Sequence, residues 1–281
     1  MKGQLRVMTA ADIAAAVALK DTAGWNQTAL DWGRFLAACP QGSFVAESGG
    51  RVIGTSATII YAQQLAWIGM VIVAAEHRGQ GIGTALLQKA IDYLVAEKVP
   101  CMKLDATPQG RPLYQKLGFV PEYDIERWML KRIPSHQTQS AANPINNLDD
   151  VLQLDREVFG VDRSQLLRSI TESDPQFALR SQHGKVISGY AFGRRGSRAD
   201  QLGPWVARDQ DSAAELLDQF LEQSRREFIF VDCLKLSSWA TKLVTARGFE
   251  FSRPLTRMFR GTNLSPGQPD LLGAILGPEF G

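Results

Sequence analysis

The feature that most constrains this chain is that it repeats itself at a fixed spacing. The stretch "KLGFVPEYDIERWM" returns as "ARGFEFSRPLTRMF", so that Gly118 matches Gly248 and Arg127 matches Arg257, each pair 130 positions apart. Upstream, "AESGGRVIGTSATI" is echoed by "LRSQHGKVISGYAF", and "WIGMVIV" by "QLGPWVA". A duplicated unit fits 281 residues better than one large domain. Residues 134–147, "PSHQTQSAANPINN", are polar and carry two prolines, the mark of a linker. The expected division is therefore 1–133, a linker over 134–147, and 148–281.

Each unit mixes helix and strand signals. Thr9 with Asp12 opens "AADIAAAVALK" as a capping box, and Thr28 with Asp31 opens "ALDWGRFLAA" the same way. "SFVAES" and "RVIGTSATIIY" are β-rich runs joined at Gly49-Gly50, and the apolar "LAWIGMVIV" reads as a central strand. Leu86, Leu87, Ala90, Ile91, Leu94 and Val95 recur at helical spacing. "CMKLDA" is a further strand, "GRPLYQKLG" a short helix and "IERWMLKR" a last strand. The fold class is α/β with a mixed sheet, present twice.

The copies differ in one informative place. From Gly69 to Leu86 the first copy uses 17 steps, whereas from Gly203 to Leu216 the second uses 13. The four missing residues fall in "EHRGQGIGTALL", and "ARDQDSAAELL" keeps no such glycines. A glycine loop between a strand and a helix directs backbone N–H groups and the helix dipole at an anion. A P-loop would need a lysine that is absent here, and a dinucleotide fingerprint would need glycine where Thr84 stands. What remains is Arg78-x-x-Gly81-x-Gly83 after an apolar strand.

With "VIVAAEHRGQGIGTALL" followed by "LYQKLGF", the first copy resembles the GNAT family of acetyl-CoA-dependent N-acetyltransferases. The likeness runs over about 4–132, with a fading second copy at 145–262, and the whole chain looks like a tandem, two-domain bacterial type whose second copy is degenerate. The resemblance implies a coenzyme A pyrophosphate held by Arg78, Gly79, Gln80, Gly81, Ile82, Gly83 and Thr84. It implies pantetheine held by the main chain of Val71, Ile72 and Val73, where that strand splays from its neighbour at a bulge. A main-chain N–H near Val71 would serve the developing oxyanion.

Acetyl transfer to an amine also asks for an acid at sulfur and a route for the amine's proton. Tyr114 stands four residues before Gly118, where the family places a tyrosine near the coenzyme sulfur; its counterpart in the second copy is Val244. Thr107 stands where the family often has asparagine. Asp105 and Glu47, each ending a strand, are candidate bases, and Glu76 is expected to face solvent. Trp25, Asn26 and Trp32 are candidate walls of the acceptor pocket, which aromatic rings suit. Trp67 and Trp128 are expected in the core.

Bulk composition narrows the partners. Net charge is +2, too small for a nucleic-acid footprint, and "GRRGSR" at 193–198 reads as a solvated loop. No apolar run reaches the roughly 18 residues of a membrane span, and "MKGQLRVMT" lacks the apolar region of a secretion signal. Cys39, Cys101 and Cys233 are dispersed, which argues against a disulfide framework or a metal site and for the cytoplasm. The expected activity is acetyl transfer from acetyl-CoA to a small-molecule or peptide amine by a monomeric pseudo-dimer or a homodimer. The alternative is a non-catalytic acyl-CoA sensor.

Overall fold

A computed structural model describes residues 3–133, 147–184 and 186–281. The first copy runs β1 (Gln4–Val7), α1 (Ile13–Thr22), α2 (Ala29–Ala38), β2 (Phe44–Ser48), β3 (Arg51–Tyr61), β4 (Leu65–Val73), α3 (Ile82–Ala96), β5 (Cys101–Ala106), α4 (Arg111–Lys116) and β6 (Val120–Lys131). The second repeats it as α5 (Leu148–Phe159), α6 (Ser164–Ser173), β7 (Leu179–His183), β8 (Val186–Arg195), β9 (Asp200–Ala207), α7 (Gln210–Gln223), β10 (Phe228–Leu234), α8 (Ser238–Ala246) and β11 (Glu250–Gly261), and adds β12 (Leu272–Ala274). Among the described residues no helix is long and apolar enough to cross a membrane.

The local signals act as their chemistry dictates. Both capping boxes form, although the one at Thr9 opens a single 3-10 turn before α1. Gly49 and Gly50 both take positive φ, 57° and 74°, which twists the hairpin between β2 and β3 as its strands require. On α3 the apolar stripe packs on the sheet through Leu86, Leu87, Ala90, Ile91 and Leu94. Val95, expected in that stripe, is 58% exposed. At 100° per residue it falls past the edge of a face that Leu94 already fills. Of the expected linker, all but Asn147 lies outside the described residues; Asn147 caps α5 by accepting from the N–H of Asp149 at 3.1 Å.

The two copies share one twelve-stranded sheet, in the order β1-β2-β3-β4-β5-β11-β6-β10-β12-β9-β8-β7. Its centre is an exchange. β11, from the second copy, lies between β5 and β6, and pairs Arg257 with Asp105. β6, from the first copy, pairs with β10, and sets Arg127 opposite Asp232. Each copy thus completes the other's half of the sheet.

The basic cluster at 193–198 is solvated only in part: Arg195, Ser197 and Arg198 are exposed, as its composition suggested, but Arg194 is not. Arg194 is 1% exposed and pairs with Asp31 at 3.0 Å and with Glu279. The turn beyond it is clasped by Asn26, whose amide donates to the carbonyl of Ala199 and accepts from the N–H groups of Arg198 and Ala199. Buried partners on other elements, invisible in a window of six residues, neutralise the charge.

Candidate active site

β4 and β5 run parallel for three residue pairs, from Leu65 with Cys101 to Trp67 with Lys103, and then part. On its other side β4 stays bonded to β3, but with an irregularity between Thr55 and Ala57. Met70 sits there with φ +56°, a conformation that only a bulge makes tolerable for a bulky side chain. Its carbonyl is fixed by the Thr55 hydroxyl at 2.7 Å. The parting opens a cleft of about 100 Å³ lined by Ile68, Gly69, Met70 and Val71 from β4, Leu104 and Asp105 from β5, and Thr107 and Tyr114 beyond it.

The glycine loop follows β4 directly. Gly79 and Gly81 take φ of 74° and 80°, and a Cβ on either would meet no protein atom within 4 Å, so the backbone there faces open space. Gly81 is also the N-cap of α3, and with no side chain it leaves the first-turn amides open to an outside acceptor. Ile82 is buried and contributes backbone alone, while Gln80 and Thr84 are exposed. Arg78 is exposed and turns its Nε back to the carbonyl of Val73 at 3.0 Å. Val71 and Val73 are half-buried beside the splay, and Ile72 points the other way, against Leu19 and Ala74.

Tyr114 packs edge-on against Phe119, 6.3 Å between ring centres, and lies over Gly110, where a Cβ would come within 2.9 Å of the ring. Burial pushes its pKa up to about 12, so the phenol keeps its proton at neutral pH. The Thr107 hydroxyl is engaged with the N–H of Gly110 at 3.2 Å.

The remaining expected residues separate. Trp25 and Asn26 line the cleft. Trp32 does not: α2 turns it fully inward beside Phe35, a correction to the acceptor-wall reading. Glu47 is likewise outside the cleft, held by Arg6 at 2.8 Å on the far edge of the sheet. Asp105 reaches the cleft, but Arg257 takes both its oxygens, at 2.9 and 3.0 Å. Desolvation raises its pKa against the opposing pull of that guanidinium. Glu76 is exposed, Trp67 is core, and Trp128 is half-buried against Phe251.

The far wall comes from segments that sequence did not connect to the site: Gln27, Arg127 of β6, Arg253 and Leu255 of β11, and Pro278 and Glu279 of the C-terminal segment. That segment runs so close to β4 that a Cβ on Gly69 would lie 2.7 Å from the carbonyl oxygen of Glu279. Trp67 Nε1 anchors it by donating to the carbonyl of Pro278 at 3.0 Å.

The second copy has the same splay and has filled it. β9 and β10 pair in parallel for three residue pairs, from Asp200 with Ile229 to Leu202 with Val231. β12 then enters between them, bonding to β9 near Trp205 and Val206 and to β10 at Cys233. In that copy the chain itself occupies the gap which the first copy leaves open.

Comparison with known proteins accords with both halves. The family model described as Acetyltransferase (GNAT) family matches residues 14–119, and the one described as Acetyltransferase (GNAT) domain matches residues 151–273. Holothin acyltransferase of Pseudoalteromonas sp. (strain SANK 73390) is 24% identical over 262 residues, covering 92% of this chain and 87% of that protein. The uncharacterized N-acetyltransferase YitH of Bacillus subtilis (strain 168) is 26% identical over 159 residues, 55% of each chain. A candidate acetyltransferase from Pyrococcus horikoshii superposes with a TM-score of 0.82 at 22% identity, covering 100% of this chain and 96% of that one. A GCN5-related N-acetyltransferase from Sphaerobacter thermophilus gives 0.65 at 17% identity, covering 95% and 97%. The shared fold therefore extends through both copies.

Proposed function

The chain belongs to the GNAT acetyltransferase family of enzymes, and from that premise we propose that its first copy moves an acetyl group from acetyl-CoA directly to a primary amine, with both substrates bound at once. One observation carries the reading: a single cleft joins the freed edge of β4, Tyr114 and a closed polar wall, directly beside an open glycine loop. Its relatives' names as acyltransferases support acyl transfer.

The residues divide the work. First-turn amides of α3, with Gly79 and Gly81 giving room, receive pyrophosphate oxygens. The edge of β4 from Ile68 to Val73 offers main-chain groups to the pantetheine amides, as to an added strand. Coenzyme A supplies the thioester. The new bond joins the amine nitrogen to the acetyl carbon as the carbon–sulfur bond breaks, and holding the two together supplies much of the rate. Tyr114 donates a hydrogen bond to the departing sulfur. With a pKa near 12, against about 8.5 for an ordinary thiol, it stabilises the thiolate without surrendering its proton. Asp105 and Glu279 are both engaged, so the amine's proton leaves to water.

The test is coenzyme A release from acetyl-CoA across a panel of amines, with the acetylated product identified by mass. Binding of acetyl-CoA with no product from any amine would favour the sensor reading. Absence of binding would sink both.

A further inference from the structure

The polar wall of the cleft is almost fully paired. Arg127 takes Asp232 through two hydrogen bonds of 2.7 and 2.6 Å, Arg257 takes Asp105, and Arg194 and Gln27 take Glu279. Three atoms are left over: the Nε of Arg194, and two on residues that line the cleft itself. The Nε of Arg253 and the Oε1 of Gln27 are buried and meet no hydrogen-bond partner, and both residues line this cleft. Arg253 also has no ion-pair partner among the described residues, and across the β11–β6 pairing it stands opposite Arg127, a charge of the same sign. The Gln27 assignment is fixed by its other end, since Nε2 donates to Glu279 at 2.8 Å.

A buried donor on a positively charged group and a buried neutral acceptor, each without a protein partner and carried by residues that line one cleft, are costly to leave unpaired. They are satisfied together by a molecule carrying an anion at one end and an N–H at the other. Burial, with Arg127 beside it, holds the pKa of Arg253 down to about 10, so the guanidinium is still charged at neutral pH. Its planar fork matches a carboxylate in two-point contact, and a cleft of about 100 Å³ suits a compact ligand.

We propose that the acceptor is a small amine bearing a carboxylate, bound by Arg253 through the carboxylate and by Gln27 Oε1 through an N–H. The inference rests on the acyltransferase reading and names its substrate class. Arg253 belongs to β11, so the second copy would supply the selectivity of a reaction carried out in the first.

The experiment compares amino acids with their own amides as acceptors, following coenzyme A release from acetyl-CoA. The wild-type protein is expected to favour the acid, in kcat/KM, by on the order of 10- to 100-fold over its amide, the scale of a charge-assisted contact. Arg253→Gln should collapse that ratio toward one, and Arg253→Lys should keep part of it. Both variants are first matched to wild type in Tm. Equal use of acid and amide by the wild type overturns the proposal and leaves the acyltransferase reading standing, as does a ratio that survives Arg253→Gln. Turnover of neither series by a protein that acetylates another amine overturns the proposal alone, and turnover of no amine at all by a protein that binds acetyl-CoA overturns both.

Discussion

Asp105 and Arg257, 152 positions apart, hold each other by two hydrogen bonds of 2.9 and 3.0 Å at the centre of the sheet. Arg127 and Asp232 form the same contact with the copies interchanged. The arginine that ends one copy therefore neutralises the aspartate of the other, twice, in buried positions. Such reciprocity ties the halves by charge as well as by strand order.

Removing one member leaves a buried charge alone. Asp105→Ala is expected to destabilise by about 3–5 kcal/mol, because Arg257 stays buried between Trp67 and Tyr123. Replacing both, as Asp105→Leu with Arg257→Met, should recover most of the loss. Calorimetric Tm values of the three proteins decide this. A normally folded Asp105→Asn with kcat lost would instead restore Asp105 as a base.

Acetyl-CoA is expected to bind once per chain, since β12 fills the second splay and the second glycine loop is missing. Titration calorimetry should give one site, and Gly81→Glu should abolish it by placing a carboxylate where the backbone meets a pyrophosphate. Two equivalent sites would refute this.

Tyr114→Phe keeps the ring packed on Phe119 and removes only the hydroxyl. Turnover is expected to fall roughly 10- to 100-fold, the scale of one hydrogen bond to a developing charge, while acetyl-CoA affinity holds. An unchanged kcat would assign the sulfur contact to another group.

A fragment ending at residue 145 is expected not to fold. It would lack β11, and with it the strand between β5 and β6 and the partner of Asp105. Circular dichroism and gel filtration of the fragment test this; a soluble monomer with a cooperative melt would contradict it.

Much of the architecture was legible because it is local. Periodicity marked α3 and β4, capping boxes marked α2, and the glycine pair marked the first hairpin. The loop at 78–84 was legible for the same reason. The exchange of β6 and β11 was not, since a strand's hydrophobic pattern says it is paired and not with which neighbour. The constant offset of Arg127 and Arg257 was visible, as were Asp105 in "LDA" and Asp232 in "VDC", but only the sheet shows that they pair crosswise. Arg194 and Trp32 were misplaced for a related reason: their surroundings come from Glu279, Asp31 and other distant segments.

The crossed strands also set a clock for synthesis. β5 ends at Ala106 and the strand that completes it begins at Glu250. At ordinary elongation rates the interval lasts roughly 7 to 30 s, during which β5 presents a bare edge to the crowded surroundings of the ribosome. Neither half can be finished ahead of the other: the copies emerge in sequence and mature in the same event, once residue 261 has cleared the exit tunnel.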